Sequence, residues 1–449
     1  MRELKFYVIA DTHFFKNSLG ASGPEYDDFM RYEQKCFAET ESINRSVFDY
    51  LEKANEADIV LIVGDLSFNG EKESHLEFVK LLDKLRESGK KVYVVTADHD
   101  FKDDPFAFGE NGRYIPEGTA RDELFDIYYE YGFKDAIAVD RQHLSYVAQI
   151  GEGVRLLALN NDGADDGRRR FDEAHIEWIK EQARKAKEDG QIMIAMNHYP
   201  LLPLQPLFSI ISSSVQKEPK KAIECLADEG VNLVFTGHMH CQSINEYVTE
   251  KGNKLYDVCT GSVIADPSYI RLVTLKDENT VDIKSIPTPD FQWDTKGKDC
   301  KEYLSDMFDN MILNLLYDMK YDTERMMGHL GIKSNLKPIM KVFGSLINSL
   351  TLGSLSRLLF IKCHKSIRKI KVKDFAAELV RGAFEGNQKM VEGTPKGDVF
   401  LAFLKRINPI LKKINIKTVF GEKADLYEFL KHTAGNYGTD DYNAVLKLK

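Results

Sequence analysis

Short apolar runs and amphipathic stretches alternate along the first 294 residues. Phe6–Ala10, Ile59–Val63, Lys91–Thr96, Leu156–Leu159, Ile192–Met196 and Leu233–Thr236 are each aliphatic or β-branched, and each ends in a polar or Gly-containing turn, the pattern of buried strands. Between them lie helix-like segments. Asp28–Asn55 spaces Phe29, Tyr32, Phe37, Val47 and Leu51. Ser74–Ser88 places Leu76, Val79, Leu82 and Leu85 on one face and is followed by Gly89. A further helix starts at Phe171-Asp172 and carries Ile176, Trp178 and Ile179. This β–α alternation predicts an α/β fold around a largely buried sheet. Two weaker β-like runs follow, Ile270–Leu275 and Val281–Ile286. Beyond the Pro-bearing stretch Ile286–Asp290 the period becomes helical over Tyr303–Met319, Leu336–Leu350, Leu355–Cys363, Asp374–Ala383 and Val399–Leu404. The pattern predicts a boundary near residue 290: an α/β domain over 1–290 and an all-α domain over 291–449.

Charge sharpens that division. The 449-residue chain has a formal net charge of −9. Residues 295–449 hold 27 Lys+Arg and 17 Asp+Glu, a balance of +10, while residues 1–294 hold 34 and 53, a balance of −19. An acidic larger part argues against general nucleic-acid binding. The run Phe6–Ala10 is too short for a secretory leader, no stretch approaches a membrane span, and the six cysteines are scattered without a CxxC pair. The expectation is a cytoplasmic protein with reduced thiols.

The strand ends carry the chemistry. They read Asp11-Thr12-His13, Gly64-Asp65, Asp98-His99-Asp100, Asn197-His198 and Gly237-His238-Met239-His240. Ligands of open α/β sheets bind outside the carboxyl ends of the strands, so these loops deliver carboxylates and imidazoles to one edge. Each feature has an ordinary structural reading when taken alone: Asp11 as a cap or turn residue, Gly64-Asp65 as a turn, His198 as a satisfied loop histidine, His238 and His240 on a solvated turn. Together, Asp11, His13, Asp65, Asp98, His198, His238 and His240 are too many ligands for one ion. They fit two divalent ions sharing a bridging carboxylate. Oxygen and nitrogen donors without thiolate suit Mn, Fe or Zn.

The constellation resembles the calcineurin-like metallophosphoesterase superfamily, whose motifs D-x-H, G-D, G-N-H-D/E, H and G-H-x-H occur in this order at comparable spacing over the first 290 residues. The resemblance implies a four-layer αββα sandwich of two mixed sheets. It assigns Asp11, His13, Asp65 and His240 to one metal, and Asp65, Asp98, His198 and His238 to the other. One departure stands out: Ala97-Asp98 replaces the usual Gly-Asn, adding a negative charge that would disfavour a dianionic monoester relative to a diester. Two-metal chemistry activates a bridging water as hydroxide at neutral pH. His99 is the expected general acid, oriented by Asp100, with a purely structural role as the alternative.

Local sequence narrows the branch. Leu66-Ser67-Phe68-Asn69-Gly70 after Gly64-Asp65 differs from the phosphoprotein phosphatases, and Phe68 stands where purple acid phosphatases place a ligating Tyr. The run resembles bacterial cyclic-nucleotide phosphodiesterases of this superfamily. Asn69–His75 and Leu144–Ala148 are similar to a Gram-positive branch with a C-terminal helical domain. The leading expectation is a metal-dependent phosphodiesterase acting on a small phosphoester, with nucleotides and cyclic nucleotides as substrate classes. A phosphomonoesterase or nucleotidase of the same fold, an inactive scaffold, and a nuclease are the alternatives. Asn69 reads as a phosphate contact or a turn residue, His75 as a substrate contact or a packed helix-start residue, and Phe14 and Phe15 as stacking or core residues. His143, His175, His329, His364 and His432 show no partner pattern and read as structural or surface residues. The basic run Arg357–Lys373 reads as a solvated face, a dock for the acidic domain, or a site for an anionic partner.

Overall fold

The computed structural model describes residues 2–164, 166–329, 337–386, 391–433, 435 and 440–449. Strands follow in chain order as β1 (Leu4–Ile9), β2 (Ile59–Val63), β3 (Lys91–Val95), β4 (Ala107–Gly109), β5 (Gly112–Tyr114), β6 (Ala136–Asp140), β7 (Ser145–Gly151) and β8 (Val154–Leu159). They continue as β9 (Ile192–Asn197), β10 (Leu233–Thr236), β11 (Ser243–Val248), β12 (Lys254–Cys259), β13 (Tyr269–Leu275), β14 (Thr280–Pro287) and β15 (Ala444–Lys447). One sheet is ordered β15-β14-β13-β1-β2-β3 and the other β11-β12-β10-β9-β8-β7-β6, with β4 and β5 forming a separate hairpin. Both sheets mix parallel and antiparallel pairs: β1 is parallel to β2 but antiparallel to β13, and β8 is parallel to β9 but antiparallel to β7.

The two sheets pack face to face. Phe6 of β1 meets Phe235 of β10 edge-on at 5.5 Å within one apolar core. Helices Thr40–Lys53 and Lys72–Glu87 cover the outer face of the first sheet through Ile43, Val47, Phe48, Phe78 and Leu82. Helices Glu173–Glu188 and Pro219–Asp228 cover the second through Ile176, Ile179, Ile223 and Leu226. The result is the four-layer αββα arrangement. Central strands buried on both faces explain the continuous apolar runs β1, β2, β9 and β10.

Helices dominate from Cys300 to His432, over the Cys300–Tyr321, Lys337–Ser349, Val372–Glu385 and Pro395–Leu411 segments among others. Leu336, the first residue of one expected helix, lies outside the described residues. Two expected helices differ from their patterns. Asp28–Asn55 is two helices, Pro24–Met30 and Thr40–Lys53, separated by a turn that Asp318 holds by accepting from Tyr32 Oη at 2.6 Å and Arg31 Nε at 2.7 Å. Leu355–Cys363 is helical only to Leu358, in a helix that begins at Leu352. The chain then returns to the first sheet, where β15 pairs antiparallel with β14. No described helix is long and apolar enough to cross a membrane.

Candidate metal centre

The loops after β1, β2, β9 and β10 converge at one edge of the sandwich. Five of the expected ligands there have left-handed backbones: Asp11, His13, Asp65, His238 and His240, with φ between 37° and 66°. Each such residue costs roughly 1–2 kcal/mol. The folded core sustains these turns, and they aim the side chains inward. Glycines clear the space between them. A Cβ on Gly64 would lie 2.5 Å from the His198 ring, and one on Gly237 would lie 2.5 Å from Asp11 Oδ2.

The side chains form overlapping groups whose ligand atoms lie within 4.8 Å of one another: Asp11–His13–His240, Asp65–His198–His238 and His13–Asp65–His99. His13 Nε2 and His240 Nε2 are 3.1 Å apart, and Asp11 Oδ1 is 3.4 Å from the latter. Asp65 Oδ2 lies 3.1 Å from His198 Nε2 and 3.5 Å from His13 Nε2, between the two groups. The Asp11 carboxylate accepts from the His238 backbone N–H, which ties the first motif to the last.

Two observations fit divalent ions. His198 Nδ1 is bonded to the Val63 carbonyl at 2.9 Å, while its buried Nε2 has no aligned hydrogen-bond partner. The donor set is imidazole and carboxylate, which suits Mn, Fe or Zn. Burial disfavours the His198 imidazolium, yet the facing Asp65 and Asp11 carboxylates outweigh it and lift the group to about 10. Burial likewise opposes the Asp65 charge, and His198, His99 and His13 overcome it, holding Asp65 well below the usual carboxylate range. A bound divalent cation would take the place of the proton on His198.

Asp98 lies outside these groups. Its Oδ2 accepts from Arg169 Nη2 at 2.5 Å and its Oδ1 from Tyr199 Oη at 2.7 Å, and the guanidinium stacks over the Tyr199 ring at 5.1 Å. The charge that distinguishes Asp98 from the usual Asn is therefore matched by Arg169. Asp162, behind this pair, is pushed up to about 7 by burial and by Asp98.

His99 stands at the rim, edge-on to His13 at 4.8 Å. Its Nδ1 bonds to the Phe68 carbonyl at 2.6 Å, which leaves Nε2 as the free nitrogen. Asp100 does not orient it, contrary to expectation. The Asp100 carboxylate accepts instead from the Leu66, Ser67 and Ala97 backbone N–H groups at 2.7–2.8 Å. In a tight turn, neighbouring side chains diverge, and Asp100 caps its own turn.

Asn69 and His75 do not face the metal cluster. Asn69 is buried, with Glu71 and Phe106 as partners, and the buried His75 joins Tyr128 Oη to the Asp100 carbonyl. Phe14 and Phe15 are fully buried core residues.

Sequence reasoning missed Arg169, Tyr199 and Lys35. Lys35 is buried, with its ammonium 4.6 Å from the Phe68 ring centroid, and its charge adds to burial in lowering His13 and His99. It also missed a second cluster, in which Asp140, His143 and His175 approach one another beside Asp172.

The model of the calcineurin-like phosphoesterase family matches residues 4–242, just over half of the chain. Solved structures that the chain matches include a dimetal phosphatase from Danio rerio, 12% identical over 64% of this chain and 96% of that one, with a TM-score of 0.44. A purple acid phosphatase from yellow lupin seeds is 15% identical over 65% of this chain and 52% of that one, with a TM-score of 0.43. A 5′-nucleotidase precursor from Thermus thermophilus is 11% identical over 73% and 68%, with a TM-score of 0.37. No curated protein matches the sequence.

Proposed function

The chain belongs to the calcineurin-like phosphoesterase family, and from that premise we propose that it is a dinuclear metal-dependent phosphodiesterase for a small substrate, with cyclic nucleotides as one substrate class. The observation that carries the reading is Asp65 Oδ2 standing within 3.5 Å of imidazole nitrogens from two ligand groups, the position of a bridging carboxylate. Asp11, His13 and His240 would complete one site, and His198 and His238 the other. Asp98 would join the second on leaving Arg169. Two divalent ions bound there would supply a nucleophile from water at neutral pH and offset charge on the phosphoryl oxygens.

The chain's own groups do the rest. Lys35 places positive charge beside the cluster, where it would orient the phosphoryl group electrostatically, while Arg169 balances Asp98. His99, its Nδ1–H held by the Phe68 carbonyl, presents the Nε2 lone pair at the rim, where it would take up the proton released by the attacking water and pass it to the leaving oxygen. Residues 1–290 carry the hydrolysis and 291–449 are accessory. Six free cysteines support a reducing, cytoplasmic compartment.

The diesterase reading rests on Asp98, whose negative charge penalises a dianionic substrate. A phosphomonoesterase is the second reading, and the Arg169–Asp98 pair favours it because the guanidinium cancels that penalty. Parallel turnover of bis-nitrophenyl phosphate, nitrophenyl phosphate and cyclic AMP with Mn²⁺ decides between them. The expected outcome is kcat/KM higher for the diesters. Faster turnover of the monoester overturns the diesterase assignment in favour of the second reading.

A further inference from the structure

The densest basic stretch of the chain, Arg357–Lys373, leaves helix Leu352–Leu358 and runs through a turn to helix Val372–Glu385. Arg357, Lys362, His364, Arg368 and Lys369 line a cleft of about 1230 Å³, in which Asp398 is the one carboxylate lining it. Asp398 already accepts from the Gly393 backbone N–H at 2.8 Å. Among the described residues, no carboxylate pairs with Arg357, Lys362, Lys365, Arg368 or Lys369; Arg357 and Arg368 turn Nε to the backbone carbonyls of Gly353 and Cys363. Other cations of the same region are paired, as in Lys396–Glu378 and Arg381–Asp309. The cluster therefore neither docks on the acidic region nor neutralises itself, and its charge is unspent.

Two apolar side chains project from the middle of this charge. Phe360 is 88% exposed and Leu358 60% exposed. Phe360 also has a left-handed backbone, φ 57°, just past the end of its helix. Glycine is the residue that fits that position, and a bulky aromatic there is a conformational outlier. An exposed aromatic at a strained position, in a stretch whose cations have no carboxylate partner among the described residues, has the composition of an interfacial anchor, with apolar groups to enter the headgroup boundary and cations to meet anionic lipid.

We propose that this face docks on an anionic bilayer surface. Phe360 and Leu358 enter the interface, and Arg357, Lys362, Lys365, Arg368 and Lys369 face the headgroups. A nucleic acid fits less well. Leu358 offers nothing to stack on, and the −19 balance of residues 1–294 repels a polyanion that extends beyond this face.

Co-sedimentation of the full chain with phosphatidylcholine vesicles, with and without phosphatidylglycerol, tests this. Binding is expected only with the anionic lipid, weakening as salt screens the charge. Phe360→Ser should lower the partition coefficient about tenfold, and Lys362→Gln with Lys369→Gln about twenty-fivefold, at roughly fivefold per cation. Phe360→Gly should weaken binding as Phe360→Ser does while raising the melting temperature, because glycine relieves the left-handed strain. That opposite sign separates a lost anchor from a misfolded variant. No binding to anionic vesicles at low salt overturns the proposal. So does binding indifferent to both Phe360 variants, or tighter binding of a single-stranded oligonucleotide than of vesicles at the same salt.

Discussion

Two Asp/His clusters lie at the same edge of the second sheet, one after β9 and one after β6, three strands away. They are built from the same residue types but organised oppositely. In the first, imidazoles of the expected ligands meet at steep angles: 74° for His13 and His240 and 76° for His198 and His238. The ligand atoms of these groups lie within 4.8 Å of one another, close enough to share an ion. In the second, His143 and His175 stack in parallel, 4° apart in plane and 4.2 Å between centroids. Both nitrogens of His143 are already held by carboxylates, Asp140 at 2.6 Å and Asp172 at 3.2 Å. The backbones differ as well: five expected ligands of the first cluster are left-handed, whereas Asp140, His143, Asp172 and His175 are not. Composition and proximity alone do not separate a metal centre from a buried ion pair with a stacked neighbour. Ring inclination and backbone strain are where the two candidates differ.

The sharpest way to break this comparison is to remove one shared carboxylate from each cluster. Asp65→Asn should cut kcat at least about a thousandfold, roughly 4 kcal/mol of barrier, and lower the metal bound per chain. Asp140→Asn should leave both kcat and metal content within about threefold of wild type. Steady-state kinetics and elemental analysis of the two variants check this, and equal losses would mean that the second cluster is no mere structural pair. The next effect is smaller and lies at the border of the metal centre. Arg169→Leu leaves the Asp98 charge unmatched and should lower kcat/KM about tenfold. In the Asp98→Asn background the same substitution should cost less than about threefold. A double-mutant cycle measures that coupling, and additive losses would show that Arg169 acts on substrate independently of Asp98.

The first cluster was largely legible in the sequence because its motifs sit at strand ends, where chain direction and sheet edge fix which residues meet. The layers were legible for a related reason, since strands buried on both faces leave continuous apolar runs. What stayed hidden depends on distant pairing. Arg169 lies 71 residues from Asp98, inside an Arg168-Arg169-Arg170 run that reads as a solvated charge patch. Lys35 has no motif, and only its placement over Phe68 brings its charge to the site. His143 and His175 each follow an Asp by three residues, but the contact that joins them, His143 to Asp172, spans 29 residues between different elements. Asp100 misled through adjacency: it follows His99 in sequence, but its carboxylate is consumed by backbone amides. β15 is only four residues long, too short for an alternation to be read, and tertiary pairing with β14 defines it.

The last predicted effect concerns pH and the second cluster alone. Burial is the main cause that lowers His175 to about 3, aided by the neighbouring His143 charge. Both of its ring nitrogens are buried without hydrogen-bond partners. An unfolded chain takes up a proton on this histidine near its ordinary value of 6.5, while the folded chain refuses it until about 3, so stability falls as pH drops through that window. His143 has the opposite sign. Burial opposes its charge, but Asp140 and Asp172 outweigh it and raise the group, so its contribution is fully present below 6.5 and is lost only as pH rises through the raised value. Asp140 is held below the carboxylate range, as His143 overcomes its burial, and adds no slope between pH 5 and 6.5. Within this cluster the slope in that interval therefore belongs to His175, and the slopes of groups elsewhere cancel between wild type and a His175 variant. Replacing it by Phe keeps the stacking surface and removes the titration. His175→Phe should match or slightly exceed wild type in urea unfolding at pH 7, since two unsatisfied nitrogens are removed. At pH 5 it should be more stable by about 2 kcal/mol. If wild type and variant instead lose stability in parallel from pH 7 to pH 5, His175 takes up its proton in the folded state. The stacked pair would then be an open, hydrated cluster, and the contrast in burial between the two sites would fail.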